Sequence, residues 1–223
     1  MIPTSQPRIV RKETPPKMTG RNGYQKAREH LRRDFAYRCA YCMIHEHAAG
    51  GAESFWIDHF KPRSKGGRVN DYANLYWAYM LCNHIKSNNW PTRSERRRGQ
   101  RFADPCQEQD YGVHFVEDEE GKLVPQTPCG EYHVRMLRLN RTLLVARRRE
   151  RNAFVARRSE AIALVERLER QAATLSGDEA AIYREVIAHV QREIESLEAE
   201  LKITIPFIPL QSDCLRDWVS KER

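Results

Sequence analysis

Apolar residues recur at helical spacing in three stretches of the chain. Between Tyr24 and Phe35 they stand at Ala27, Leu31 and Phe35, with arginines off that line. Residues about four apart share one face of an α-helix, so this pattern predicts an amphipathic helix. We expect its apolar face to pack on a core and its arginines to face solvent.

The other two periodic stretches, 140–174 and 176–202, are long and lie near the C-terminus. The first is rich in Arg and the second in Glu, and Ser176 with Glu179 has the spacing of a capping box. We therefore expect two helices that fold back on each other as an antiparallel hairpin. The opposite charges either attract across the hairpin or are simply solvated faces. The pair is either a docking arm for another protein or a cover for the core.

A different pattern predicts a short strand in the first half of the chain. Phe55-Trp56-Ile57, which is aromatic and β-branched, leads directly into Asp58-His59-Phe60. Pro62 and Gly66-Gly67 then indicate a loop. We expect 72–76 to form the return strand and 77–89 to form a helix before Pro91. A unit this small cannot hold itself together by burial alone and calls for a staple such as a metal.

The remaining segments are less regular. The pattern of residues 102–140 predicts an irregular, β-rich stretch with one hairpin around the acidic turn 117–121. Residues 1–23 combine prolines and glycines with basic side chains, which indicates a loosely ordered arm that is either solvated or bound to a nucleic-acid backbone. The expected divisions are an arm (1–23), a core with its leading helix (24–103), an extension (104–140), a helical hairpin (141–203) and a tail (204–223).

Composition narrows the partners. The chain has 223 residues, of which 30% are charged, and a net charge of +8, which favours polyanions such as nucleic acids. No apolar run reaches the length of a membrane helix, and the N-terminus lacks the apolar block of a secretory signal. Two of the six cysteines, Cys39 and Cys42, have metal-ligand spacing. We expect a cytoplasmic protein that binds metal rather than one held by disulfides.

The stretch from Asp58 to Lys86 carries the residue types needed to hydrolyse a phosphodiester. Asp58 and Asn83 offer hard oxygen ligands for Mg²⁺ or Mn²⁺. His59 can take a proton from water near neutral pH. Asn74, fifteen residues after His59, can bridge the loop backbone and hold that histidine in place. Lys86 lies one helical turn after Asn83 and can pair with a phosphate oxygen.

These residues and their order resemble the HNH, or ββα-metal, endonuclease family. The Asp-first, Asn-last variant is similar to the HNH domains of CRISPR effector nucleases. The resemblance implies a small ββα-metal nuclease core, and many members of the family add a structural zinc site. Together with the short β-rich extension and the long C-terminal helical hairpin that the sequence pattern predicts, we expect an α+β fold. It implies Asp58 and Asn83 as ligands of a catalytic Mg²⁺, His59 as general base and Asn74 as its orienter. His84 in place of Asn83, and Asn74 as a mere turn residue, stay open.

Many members of this family also hold a structural zinc on two Cys-x-x-Cys pairs. Cys39 and Cys42 match the first pair and Cys82 matches the last cysteine, but Tyr79 stands where its partner is expected. A thiolate zinc site takes four ligands. We expect Cys106 as the fourth, with Cys129, His45 and His47 as alternatives. The other reading is that the site has decayed and the cysteines are core thiols.

The sequence thus predicts a metal-dependent endonuclease acting on DNA. The alternative is a non-catalytic, zinc-stabilised module that binds nucleic acid. Beyond the core, the order of segments is similar to nuclease subunits of Septu-type and retron anti-phage systems, which implies a defence effector beside an ATPase subunit. The residues expected to contact nucleic acid are Lys61, Arg63, Lys65, Arg93, Arg96 and Arg97.

Overall fold

The computed structural model describes residues 9–108 and 111–205, and the expectations for residues 1–8 and 206–223 lie outside them. Within these ranges the chain is α+β, as predicted. The helices are α1 (Arg28–Asp34), α2 (Met80–Lys86), α3 (Arg93–Arg97), α4 (Pro128–Met136), α5 (Thr142–Ala172) and α6 (Gly177–Ile203). The strands are β1 (Phe55–His59), β2 (Leu75–Tyr79), β3 (Phe115–Glu117) and β4 (Leu123–Pro125), paired as β1 with β2 and β3 with β4.

Strands β1 and β2 form an antiparallel pair in which Asp58 lies opposite Tyr76. The predicted return strand, 72–76, was placed too early. The Asp71 side chain accepts a hydrogen bond from the Ala73 amide and closes a 3₁₀ turn before β2 begins. The predicted helix 77–89 was too long, because pairing with β1 continues through Tyr79 and the chain leaves helical geometry at Ser87 (φ 47°).

The leading helix has the predicted amphipathic form. A 3₁₀ turn, Gly23–Ala27, runs into α1, and Ala27, Leu31 and Phe35 are all buried in the main core. This core also takes in the inward side chains of β2, including Trp77, which is fully buried. The periodicity of the sequence therefore reported the packed face correctly.

The N-terminal segment differs from expectation. Residues 9–22 are not a free arm, because polar contacts tie them to the core. The Ile9 amide donates to the Pro105 carbonyl (2.7 Å), and Arg11 Nη2 donates to the Leu75 carbonyl (2.8 Å). The Arg11 guanidinium lies 5.0–5.2 Å from the ring centroids of Phe35, Tyr72 and Tyr76. Cation–π contacts of this kind stabilise a basic segment that packs on a core.

The extension contains the expected hairpin, β3 with β4, but also a helix that the sequence analysis missed. Helix α4 begins after Thr127, whose hydroxyl accepts from the Gly130 amide (3.0 Å), with Pro128 at the first position. That pair is a typical helix start. Asn140 joins the hairpin to the following helices, since its amide donates to and accepts from the Leu123 backbone.

Helices α5 and α6 form the predicted antiparallel hairpin. Ala161 and Val165 pack on Val190, and Arg158 pairs with Glu198 (2.6 Å). Ser176 takes the N-cap position of α6, but its side chain makes no capping hydrogen bond, so the predicted capping box does not form. No helix of the described ranges has the length and apolarity to cross a membrane.

Candidate functional site

Asp58 and His59 stand at the end of β1, and strand alternation turns them to opposite sides. Asp58 is buried. Its Oδ2 accepts from the Tyr41 hydroxyl and lies 2.8 Å from Lys86 Nζ. Its Oδ1 accepts no hydrogen bond from the described residues, and this oxygen is not completely shut off from solvent. One carboxylate oxygen is therefore held in place while the other is left for a ligand.

The surroundings of Lys86 differ from the prediction that it pairs with a phosphate oxygen. It shares the inward face of α2 with Cys82, one turn earlier, and is fully buried. Its ammonium donates to the His59 carbonyl (2.9 Å) in addition to pairing with Asp58. Burial lowers the pKa of Lys86 and raises the pKa of Asp58, while the opposite charge of each partner acts against burial. Lys86 thus faces the carboxylate rather than an external phosphate.

His59 is half-buried beside the Tyr24 ring, with the centroids 5.0 Å apart. Its Nε2 lies 3.0 Å from the Val69 carbonyl, which can only accept, so Nε2 carries the proton of the neutral ring. Burial lowers the pKa of His59, which favours the neutral form at neutral pH. The lone pair then lies on Nδ1, the atom that can accept a proton from water.

Asn74 bridges the loop between the two strands. Its Oδ1 accepts from the Lys61 amide (2.9 Å), and its Nδ2 donates to the carbonyls of Lys61 and Arg68 (3.1 Å each). Gly67 allows this closure, because a Cβ at that position would lie 1.8 Å from the Lys61 carbonyl oxygen. The amide therefore holds together the loop that also carries Val69, the partner of His59.

Asn83 and His84 stand side by side on α2, which packs against β1. Asn83 is half-exposed and His84 is exposed. A carboxylate oxygen from Asp58 and an amide oxygen from Asn83 suit a hard divalent cation such as Mg²⁺. The donor set therefore fits the expected metal, with the free Oδ1 of Asp58 as the observation behind that fit.

Three of the four cysteines expected to bind zinc come together. The sulfurs of Cys39, Cys42 and Cys82 all lie within 4.8 Å of one another and are buried. Burial raises the pKa of Cys39 to about 12. Burial also opposes ionisation of Cys42, but hydrogen bonds from the other two thiols and the charge of Arg141 lower its pKa. The hydrogen bonds among the three thiols raise the pKa of Cys82, so Cys42 is the thiol of this group that favours the thiolate, the form that binds metal.

The predicted fourth ligand, Cys106, is not part of this group. Its amide donates to the Asp104 carboxylate (2.9 Å), and that turn holds the thiol beside Tyr76 and Arg11. The alternatives also lie elsewhere: Cys129 belongs to another cluster, and His45 and His47 lie beside each other with their tilted rings 5.8 Å apart. Arg141 instead approaches the cysteines, with Nη2 3.1 Å from the sulfur of Cys82.

Basic side chains from two separate segments line one open groove of about 510 Å³. Lys61 and Lys65 come from the loop after β1, and Arg93 and Arg96 come from α3. Trp90 also lines it and packs edge-on against Phe60. Of the basic residues predicted to contact nucleic acid, Arg63 and Arg97 are exposed but do not line this groove.

Sequence reasoning missed three side chains that shape the site: Tyr41, Trp90 and Arg141. Tyr41 stands between two candidate zinc ligands, and Trp90 directly precedes Pro91, a few residues after α2. The closeness of Tyr41 and Trp90 in sequence to predicted site residues is a signal that could have identified them. Nothing in the sequence around Arg141 indicates that it meets Cys82, 59 residues away.

Comparison with known proteins agrees with this geometry. Residues 39–89 match the family model described as HNH endonuclease. No curated protein and no solved structure matches the chain significantly. The matched segment runs from the first cysteine of the buried cluster to just beyond the end of α2, and it includes Asp58, His59, Asn74 and Asn83. The chain therefore contains an HNH endonuclease domain, the module of a phosphodiester hydrolase.

Proposed function

We propose that this chain is a divalent-metal-dependent endonuclease that hydrolyses DNA, with His59 as the general base. The state of His59 carries the proposal. The Val69 carbonyl occupies Nε2, so the neutral ring keeps its lone pair on Nδ1. On the adjacent residue, Asp58, one carboxylate oxygen has no hydrogen bond from the part of the chain that the structure describes. A base and a metal ligand are thus available on adjacent residues.

Asp58 and Asn83 would hold Mg²⁺ or Mn²⁺, which when bound neutralises charge on the scissile phosphate and on the leaving oxygen. The residues of the chain do the rest. His59 Nδ1 takes the proton of the attacking water. The Lys86 ammonium and the Tyr41 hydroxyl fix the orientation of the Asp58 carboxylate. Asn74 positions His59 indirectly, by closing the loop that presents Val69.

The groove lined by Lys61, Lys65, Arg93 and Arg96 supports a nucleic-acid substrate. Cations that neutralise phosphates release counterions, so binding there should weaken with salt. The choice of DNA over RNA follows from the family resemblance. Trp90 lines the same groove, and an aromatic ring there is a surface on which a base can stack.

Cleavage assays with purified protein, duplex DNA and Mg²⁺ or Mn²⁺ test this proposal. His59→Ala should abolish cleavage while the circular dichroism spectrum stays unchanged. Asn83→Ala should do the same, whereas His84→Ala is the matched control and should keep near-normal activity. Intact cleavage in folded His59→Ala would reject the base, and the reverse result at positions 83 and 84 would make His84 the ligand.

A second candidate function is a nucleic-acid-binding module without catalysis. The contacts of Asp58 with Lys86 and Tyr41 favour it, because they use part of the carboxylate internally. It predicts salt-sensitive DNA binding and no cleavage with any divalent metal. Repeating the assay with a candidate partner present separates this function from an enzyme that needs activation.

We also propose a structural Zn²⁺ on Cys39, Cys42 and Cys82. Their three buried sulfurs support it, and Arg141, which donates to the Cys82 sulfur, offsets part of the negative charge that three thiolates would bring. Cys82→Ser should lower the zinc content of the purified chain by one equivalent, measured by mass spectrometry of the metal. Unchanged zinc content in that variant would leave the cysteines as packed thiols.

A role in anti-phage defence beside an ATPase partner is proposed on the resemblance of segment order. The outer face of α6 supports a protein partner, because Ile182 is 60% exposed and Val186 is 43% exposed. Co-purification with an ATPase encoded next to this chain would test it. Ile182→Asp with Val186→Asp should abolish that co-purification and leave cleavage by the isolated chain unchanged.

A further inference from the structure

A second group of metal-ligating side chains lies outside the HNH domain. Glu108 precedes α4 in a loop, His114 stands just before β3, and Cys129 is in the first turn of α4. A carboxylate oxygen, an imidazole nitrogen and a thiol sulfur from these three residues all lie within 4.8 Å of one another. Three different donor types from three separate segments therefore converge on one point.

The surroundings of each donor hold it in place. His114 Nδ1 lies 2.8 Å from the Thr127 hydroxyl, which leaves Nε2 to face Glu108 Oε2. Glu108 Oε1 accepts from Arg101 (2.6 Å). An imidazole whose outer nitrogen is hydrogen-bonded and whose inner nitrogen faces other donors is typical of a metal ligand.

The cysteine is equally well placed. The Cys129 side chain is 4% exposed, with its sulfur 3.6 Å from the Arg101 carbonyl oxygen. A buried cysteine sulfur beside an imidazole and a carboxylate suits zinc better than Mg²⁺ or Ca²⁺.

We propose that Glu108, His114 and Cys129 bind a second Zn²⁺, separate from the cysteine group of the HNH domain. Solvent supplies its fourth ligand. The ion closes the chain from Glu108 to Cys129 around the β3–β4 hairpin and joins that hairpin to α4. Its role is structural, because a metal that links distant segments stabilises the folded state by its binding free energy.

The same geometry has a metal-free counterpart, in which His114 carries a proton and pairs with Glu108. The two forms differ in what they require of Cys129. An ion pair between His114 and Glu108 needs no sulfur, whereas the zinc site loses its softest ligand when the thiol is replaced. Cys129 is therefore the position that separates them.

Zinc analysis of the full chain, purified in zinc and stripped of loosely bound metal on a chelating resin, tests the site. Cys129→Ser should contain about one equivalent less zinc than the wild type. Cys106→Ser is the matched control, because Cys106 is also a buried thiol of this region but lies outside the cluster. It should keep the wild-type content. The losses in Cys129→Ser and Cys82→Ser should add in the double variant.

Replacement by Co²⁺ gives a spectroscopic measurement independent of nuclease activity. The thiolate-to-cobalt absorption should fall in Cys129→Ser and stay unchanged in Cys106→Ser. If Cys129→Ser does not fold, Glu108→Gln replaces it, since the amide keeps the shape of the side chain while removing its charge. Zinc content equal to wild type in a folded variant of either position would overturn the proposal.

Discussion

The HNH core and the α5–α6 hairpin both use opposite charges, but in different surroundings. In the core, the side chains of Lys86 and Asp58 are 0% and 6% exposed. In the hairpin, the side chains of Arg157 and Glu193 are 65% and 35% exposed. A buried charge that loses its partner is costly, whereas water solvates an exposed one. The comparison teaches that only the core pair constrains where its neighbours must lie.

The largest effect should follow from breaking the buried pair. Lys86→Met leaves the Asp58 carboxylate buried without its cation, and the free energy of unfolding should fall by about 3–5 kcal/mol. Urea denaturation measures this. Adding Asp58→Asn should recover much of the loss, because the uncompensated charge is then gone. A single variant as stable as wild type would show that the pair does not constrain the core.

The next largest difference between the core and the hairpin should come from side-chain packing. Leu31→Ala removes a fully buried side chain of α1 and should lower the free energy of unfolding by about 2–5 kcal/mol. Leu143 is the matched control near the start of α5, where it is 41% exposed. Leu143→Ala should change stability by less than about 0.5 kcal/mol. Thermal or urea unfolding of both variants provides the measurement, and equal losses would contradict this packing.

A smaller change in stability should accompany a large change in activity at Asn74. Asn74→Ala removes the bridge across the loop, at about 1 kcal/mol, because its backbone partners are exposed and water can replace the amide. Cleavage of DNA should fall much more than stability does, since Val69 no longer holds His59. If cleavage and the unfolding midpoint both stay at wild-type values, Asn74 is a turn residue only.

The smallest effect should appear in the hairpin. Arg157→Ala should lower stability by about 0.2–1 kcal/mol, because the pair with Glu193 is largely solvated. A double-mutant cycle with Glu193→Ala, measured at low and high salt, isolates the coupling. We expect that coupling to shrink with salt. A salt-independent coupling of several kcal/mol would contradict the contrast with the core.

Much of the site could be predicted because its signals are local. Asp58 and His59 are adjacent, so strand alternation alone places them on opposite sides. The amphipathic helix ending at Phe35 and the antiparallel helical hairpin follow from spacing in the same way. In each case the informative residues lie within a few turns or one loop of each other.

The errors arose where contacts cross the chain. Arg11 packs against the rings of Phe35, directly after α1, and Tyr76 in β2, which made a basic, proline-containing segment part of the core. Lys86 lies on the correct helix, but its face was decided by the Asp58 carboxylate. Local composition predicts neither of these contacts. A cationic side chain stays in water unless the fold brings a carboxylate or an aromatic face to it.

The sequence by itself determined the family-typical parts: the Asp-His pair, the two asparagines, the first cysteine pair and the elements that carry them. Only the tertiary structure decided where the other cysteines lie, because it keeps Cys106 apart from the group of Cys39, Cys42 and Cys82 and brings Cys129 to Glu108 and His114. The physical reason is the distance along the chain over which each interaction acts. Periodicity and turn chemistry act over a few residues, whereas a ligand set depends on how separate segments pack in space.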